Sequence, residues 1–160
     1  MKINFPIFLL ICGYNRTMFS HPFFRLLFIV LVIVAVLVFL GLFLFWYWRI
    51  PEFDLLVHFL GGVWSGGMAI WFSRSFKVLR VFLSAQKNVY ILSIVAVFII
   101  GIGWEIFEIL AGNSVIGEDG FWMDTVTDLI ADLFGAWAIA YYFLAKRYDI
   151  LENNTEFPQT

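Results

Sequence analysis

The sequence predicts an all-α, polytopic membrane bundle of about four transmembrane helices. Three observations predict it. The 160-residue chain is 62% hydrophobic with a mean hydropathy of +0.92, more apolar than a soluble domain of this size can hide in its core. It holds four continuous apolar stretches, each long enough to cross ~30 Å of hydrocarbon at about 1.5 Å per residue. These stretches run unbroken rather than alternating, which favours helices over the shorter alternating strands of a membrane barrel.

The stretches follow in order. The first, Leu26 to Trp48, carries no charged residue and is expected to act as a scaffold or lipid-side wall. The second runs from about Phe53 to Phe72, the third from about Val89 to Leu110 and the fourth from about Asp124 to Leu144. Together they make one domain over residues 26–145. Residues 1–25 form an N-terminal segment: Ile3 to Ile11 is too short to span, and suits an interfacial stretch or a weak leader. Met18 is a second candidate start, since the hydrophobic organisation begins after it. Residues 146–160 form a polar tail. The single cysteine, Cys12, excludes an intrachain disulfide.

Charge placement predicts the orientation. Arg16 and Arg25 precede the first stretch, Arg74, Lys77, Arg80 and Lys87 lie between the second and third, and Lys146 and Arg147 follow the fourth. In an antiparallel bundle all of these fall on one side, which the positive-inside rule makes cytoplasmic, with both termini. The other side holds Arg49 with Glu52, Glu118 and Asp119, and an aromatic belt of Trp46, Tyr47, Trp48, Phe121 and Trp122. A multi-pass protein of the cytoplasmic (inner) membrane is expected. The basic residues are scattered along loops, which excludes a nucleic-acid footprint.

Half of the twelve acidic residues lie inside or at the edge of apolar stretches. Asp54 and His58 open the second, four residues apart and so on one helical face. Glu105 and Glu108 end the third. Asp124, Asp128 and Asp132 start the fourth at i, i+4 and i+8, a stripe that drifts only about 80° around the helix. Helix order puts all seven groups at the same, outer end of the bundle. Two carboxylates about 5 Å apart repel by roughly 3 kcal/mol even at an effective dielectric of 20. Such a layer must hold protons or be neutralised by a cation.

Carboxylates with one imidazole suit a divalent metal, Mg²⁺, Mn²⁺, Zn²⁺ or Fe²⁺. The candidate ligands are His58, Glu105, Asp128 and Asp132, with Asp124 beside them; Glu108 or Asp54 is the candidate general base toward a bound water. Glu-x-x-His pairs of the ferritin type are absent from the sequence, which counts against a di-iron bundle. Blander readings stand beside these. Asp54 and Asp124 fit helix N-caps, His58 fits a hydrogen-bonded packing residue, and Gly61, Gly62, Gly66, Gly67, Gly101, Gly103 and Gly135 fit close helix packing.

Three motifs, Asp54-Leu-Leu-Val-His58-Phe59 with Gly61-Gly62, Gly103-Trp104-Glu105-Ile-Phe-Glu108, and Asp124-Thr125-Val-Thr-Asp128-Leu129-Ile-Ala-Asp132-Leu-Phe-Gly135, resemble the YjdF-like family of small bacterial inner-membrane proteins. The resemblance covers roughly residues 26–145. It implies the four-helix core and the site, and no particular substrate. A more distant similarity is to VanZ-like proteins, associated with glycopeptide-antibiotic resistance. In that pattern Leu55, Glu108 and Asp132 here replace a Lys, a Gln and an Asn, making this chain the more acidic.

The expected function is a membrane protein with an outward-facing acidic and histidine site that binds divalent metal and acts on a lipid-linked or envelope substrate. Its enzymatic form would be a metal-dependent hydrolase or transferase on a lipid head group. Two alternatives stay open. One is a proton or cation relay or transport component, for which four helices per chain would need a homo-oligomer. The other is a non-catalytic structural or binding protein whose polar layer only specifies packing.

Overall fold

In a computed structural model the described residues are 21–50, 52–75, 83, 85–112 and 116–146. Four long helices and one short one account for most of them, and no strand occurs among them. The N-terminal segment to residue 20 with Cys12, Arg16 and Met18, the loop cations Lys77 and Arg80, Asn113 and Ser114, and the tail from residue 147 lie outside the described residues.

Helix α1 (Pro22–Phe43) begins where Pro22 occupies a first-turn position that needs no N–H. The His21 ring caps it, Nδ1 accepting from the Phe23 N–H at 3.2 Å. The helix stops short of the apolar run that encodes it. Phe45 takes a left-handed backbone (φ 59), and a separate turn, α2 (Trp46–Arg49), follows. No glycine or proline marks this break, so hydropathy alone reads through it. The turn folds Trp46 and Tyr47 onto Phe53, with ring centroids 5.6 and 5.0 Å away.

Helices α3 (Phe53–Ser75), α4 (Gln86–Ala111) and α5 (Phe121–Ala145) complete the bundle. With α1 they are four helices long and apolar enough to cross a membrane. At 22 to 26 residues they measure about 33 to 39 Å. α4 ends on Gly112 (φ 76), whose N–H donates to the Glu108 and Ile109 carbonyls. α5 is capped by Gly120 rather than Asp124. The Asp124 N–H donates to the Gly120 carbonyl at 2.9 Å, so Asp124 sits one turn inside the helix.

α3 is the central helix. It packs most extensively against α5, then against α4 and α1. The α3–α5 contact is glycine-made. A Cβ on Gly62 would overlap the Asp132 carbonyl, and one on Gly135 would overlap the Phe59 carbonyl, so the two backbones touch as small residues allow in membranes. At one end of the bundle Phe23, Leu27, Ile70, Trp71, Val89, Ile139, Ala140 and Phe143 form an apolar core. The other end is polar inside. Large apolar side chains outside stay bare, among them Leu110 at 81%, Trp48 at 72% and Phe43 at 70% exposed. Such a surface is compatible with lipid and not with water.

Candidate metal centre

Three helices bring their polar groups to the end of the bundle formed by the start of α3, the end of α4 and the start of α5. The i,i+4 spacing of α3 aligns Asp54 above His58. The same spacing on α5 aligns Asp124, Asp128 and Asp132. Exposure falls with depth: Asp124 is exposed, Asp54 and Glu108 are half-buried, and His58, Glu105, Asp128 and Asp132 are buried.

His58 is the centre of the cluster. Its Nδ1 lies 3.4 Å from Asp132 Oδ2. With Asp132 ionised its carboxylate can only accept, and Nδ1 then carries the hydrogen and donates it. Nε2 then faces the other way, 3.9 Å from Asp54 Oδ1 and 3.8 Å from Asp128 Oδ2. In neutral imidazole Nε2 is itself an acceptor. With the ring neutral, three acceptors converge here, an arrangement that holds only around a cation or once a proton is added. One oxygen adds to the same demand: Asp128 is 2% exposed, and its Oδ1 is buried without a hydrogen-bond partner.

Ligand-capable atoms of Asp54, His58 and Asp128 lie within 4.8 Å of one another. Metal bonds of ~2.1 Å in tetrahedral geometry set ligand atoms roughly 3.4 Å apart. The ring-to-carboxylate distances of 3.9 and 3.8 Å need to close by about half an ångström and the widest pair by up to about 1.4 Å, which side-chain rotation can supply, and the residues present therefore fit an ion.

The remaining predicted residues stand in different places. Asp132 is on the Nδ1 side of the ring, away from the converging triad. Glu105 is tied to α5 through Thr125, whose Oγ1 donates to Oε2 at 2.7 Å. Among the described residues the carboxylates within 4.0 Å of the His58 ring nitrogens are those of Asp54, Asp128 and Asp132; Glu108 and Asp124 are not among them. They sit at the half-buried and exposed rim.

Three contributors escape a reading of charges. Thr125 carries no charge, although it sits one turn before Asp128 on the same stripe. Gly101 would place a Cβ 3.0 Å from Asp132 Oδ2, so its missing side chain houses that carboxylate. Tyr47 reaches the rim through the α2 turn. Burial and then the negative fields of Asp54 and Glu108 push its phenol from 10.0 up to about 12, so it remains a protonated donor.

Comparison with known proteins gives a family. The model of the family described as "Predicted membrane protein (DUF2238)" matches residues 1–148. No curated protein and no solved structure matches the chain.

Proposed function

Since the chain belongs to the DUF2238 family of predicted membrane proteins, we propose that it is a metal-dependent protein of the cytoplasmic membrane whose Asp54–His58–Asp128 centre binds a divalent cation and acts on a lipid-linked or envelope substrate. The observation that carries this reading is the convergence of His58 Nε2, Asp54 Oδ1 and Asp128 Oδ2, the ring nitrogen lying 3.9 and 3.8 Å from the two carboxylate oxygens. The orphaned Asp128 Oδ1 supports it. Charge bias favours an outward-facing site, and placement near one end of the spans suits a substrate at head-group depth.

In the enzymatic form of this reading, Asp54, His58 and Asp128 would hold a divalent ion, which would supply Lewis-acid activation of water. Glu108, at the half-buried rim, would be the proton acceptor. Tyr47 offers a donor hydroxyl from the same rim. A route through the single chain is disfavoured, because the opposite end is filled by Phe23, Leu27, Ile70, Trp71 and Phe143.

Metal analysis of gently purified, detergent-solubilised protein tests the proposal. About one equivalent of divalent metal is expected in the native protein, and little in His58→Ala or Asp128→Asn. Metal-free protein that gains no thermal stability from Zn²⁺, Mn²⁺ or Mg²⁺ would overturn it. A second reading rests on the same distances: a protonated His58 imidazolium would also suit three surrounding carboxylates, and the layer would then be a packing device. That outcome is a folded, metal-free bundle.

A further inference from the structure

We infer that this centre selects a borderline transition ion, of the Zn²⁺ or Fe²⁺ class, over Mg²⁺ and Ca²⁺, and that Asp132 is the positioning residue that makes it do so. The inference rests on the metal-binding reading above. It adds the class of ion and assigns Asp132 to the imidazole rather than to the ion.

The two ring nitrogens of His58 have different partners, and that difference carries the argument. Asp132 Oδ2 meets Nδ1 at 3.4 Å, while Asp54 and Asp128 meet Nε2. A ligating histidine that hands its other N–H to a carboxylate is fixed in tautomer and ring orientation, and its free nitrogen becomes more basic. Asp132 is itself seated by its neighbours. The missing side chain of Gly101 leaves space for its Oδ2, where a Cβ would stand 3.0 Å away, and Gly62 packs against its backbone carbonyl. Its carboxylate therefore sits at Nδ1, on the far side of the ring from Nε2.

The donor set then decides the ion. One imidazole nitrogen and two carboxylate oxygens give three protein ligands and leave coordination positions open, the ligand count of catalytic zinc sites. Mg²⁺ prefers near-octahedral oxygen and keeps several waters, and Ca²⁺ takes six to eight oxygens. The buried imidazole is therefore the ligand that separates the two classes of ion. Asp128 Oδ1, buried and without a hydrogen-bond partner, is an oxygen left with acceptor capacity beside this centre.

The test uses full-length protein in detergent, titrated with Zn²⁺, Co²⁺ and Mg²⁺ alone. Zn²⁺ is expected to bind at least a thousand-fold more tightly than Mg²⁺. Co²⁺ is expected to show the intense visible bands of a low-coordinate site. Asp132→Asn is expected to weaken Zn²⁺ about 10- to 100-fold and to alter the Co²⁺ spectrum while leaving Mg²⁺ binding as weak as before. Comparable Zn²⁺ and Mg²⁺ affinities in the unsubstituted protein would overturn the selectivity and leave the metal-binding reading standing. An unchanged Zn²⁺ affinity and Co²⁺ spectrum in a folded Asp132→Asn variant would overturn the role of Asp132. Binding of none of the three ions would overturn this inference and the proposed function together.

Discussion

Gly62 on α3 lies directly against the backbone carbonyl of Asp132 on α5, so closely that a methyl group on its Cα would overlap that oxygen. One turn before Gly62 on α3, His58 meets the carboxylate of the same Asp132. The close crossing and the polar contact are therefore one feature. Gly62→Ala should push the helices apart, because backbone cannot yield as a side-chain tip can. A loss of about 1–3 kcal/mol is expected, with weaker metal binding. Gly103 has nothing within 4 Å of a built Cβ, and Gly103→Ala should be neutral or stabilising by up to about 1 kcal/mol. Thermal unfolding of both variants in detergent checks the contrast; equal effects would contradict it.

The Thr125 hydroxyl holds the buried Glu105 carboxylate at 2.7 Å. Thr125→Val keeps the shape and removes the donor. It should cost about 1–2 kcal/mol, between the averages for interhelical bonds in membranes and bonds to charged groups. Thr125→Ser should recover most of this. Parallel thermal melts of the three proteins provide the measurement.

Glu52 joins α2 to α3 at φ 60, a left-handed conformation that costs a side-chain-bearing residue about 1–2 kcal/mol. Its side chain is exposed, so little packing is lost on removing it. Glu52→Gly should stabilise the chain by up to about 1 kcal/mol after the added unfolded-state freedom of glycine. Glu52→Val should destabilise it, since a β-branched residue resists this backbone. Opposite shifts in melting temperature are the expected result.

The Tyr47 phenol, pushed up to about 12 by burial and by the charges of Asp54 and Glu108, ionises at 10.0 once it is freed of them. Between those values the unfolded chain has lost the proton that the folded one keeps. Stability contributed by this group therefore falls as pH rises from 10.0 toward about 12. The ultraviolet difference titration between the native protein and Tyr47→Phe should show a tyrosinate transition near the upper value. A transition near 10 would place the hydroxyl in open water.

Removal of metal should be felt as stability. An ion present at a hundred times its dissociation constant stabilises the folded state by about 2.7 kcal/mol. Chelator should lower the melting temperature of the native protein and leave His58→Ala unmoved. Asp124→Asn, at the exposed rim, should respond to chelator as the native protein does.

The four spans and the polar end were legible in the chain because both are local properties. Apolar length is judged against the bilayer, and the i,i+4 spacing of Asp54 with His58 and of Asp124, Asp128 and Asp132 puts each set on one face whatever it packs against. Antiparallel order then gathers the sets at one end without any knowledge of contacts. Tertiary structure alone decided how the groups divide. Phe45 breaks the first apolar run through a backbone angle that hydropathy does not register. Asp54 and Asp128 meet one nitrogen of His58, Asp132 meets the other, and Glu105 turns to Thr125. Those choices depend on helix rotation and depth to within about an ångström. That precision comes from the backbone contact of Gly62 and Gly135 with their opposite helices, since only where side chains are absent can two helices approach closely enough to fix which oxygen reaches which nitrogen.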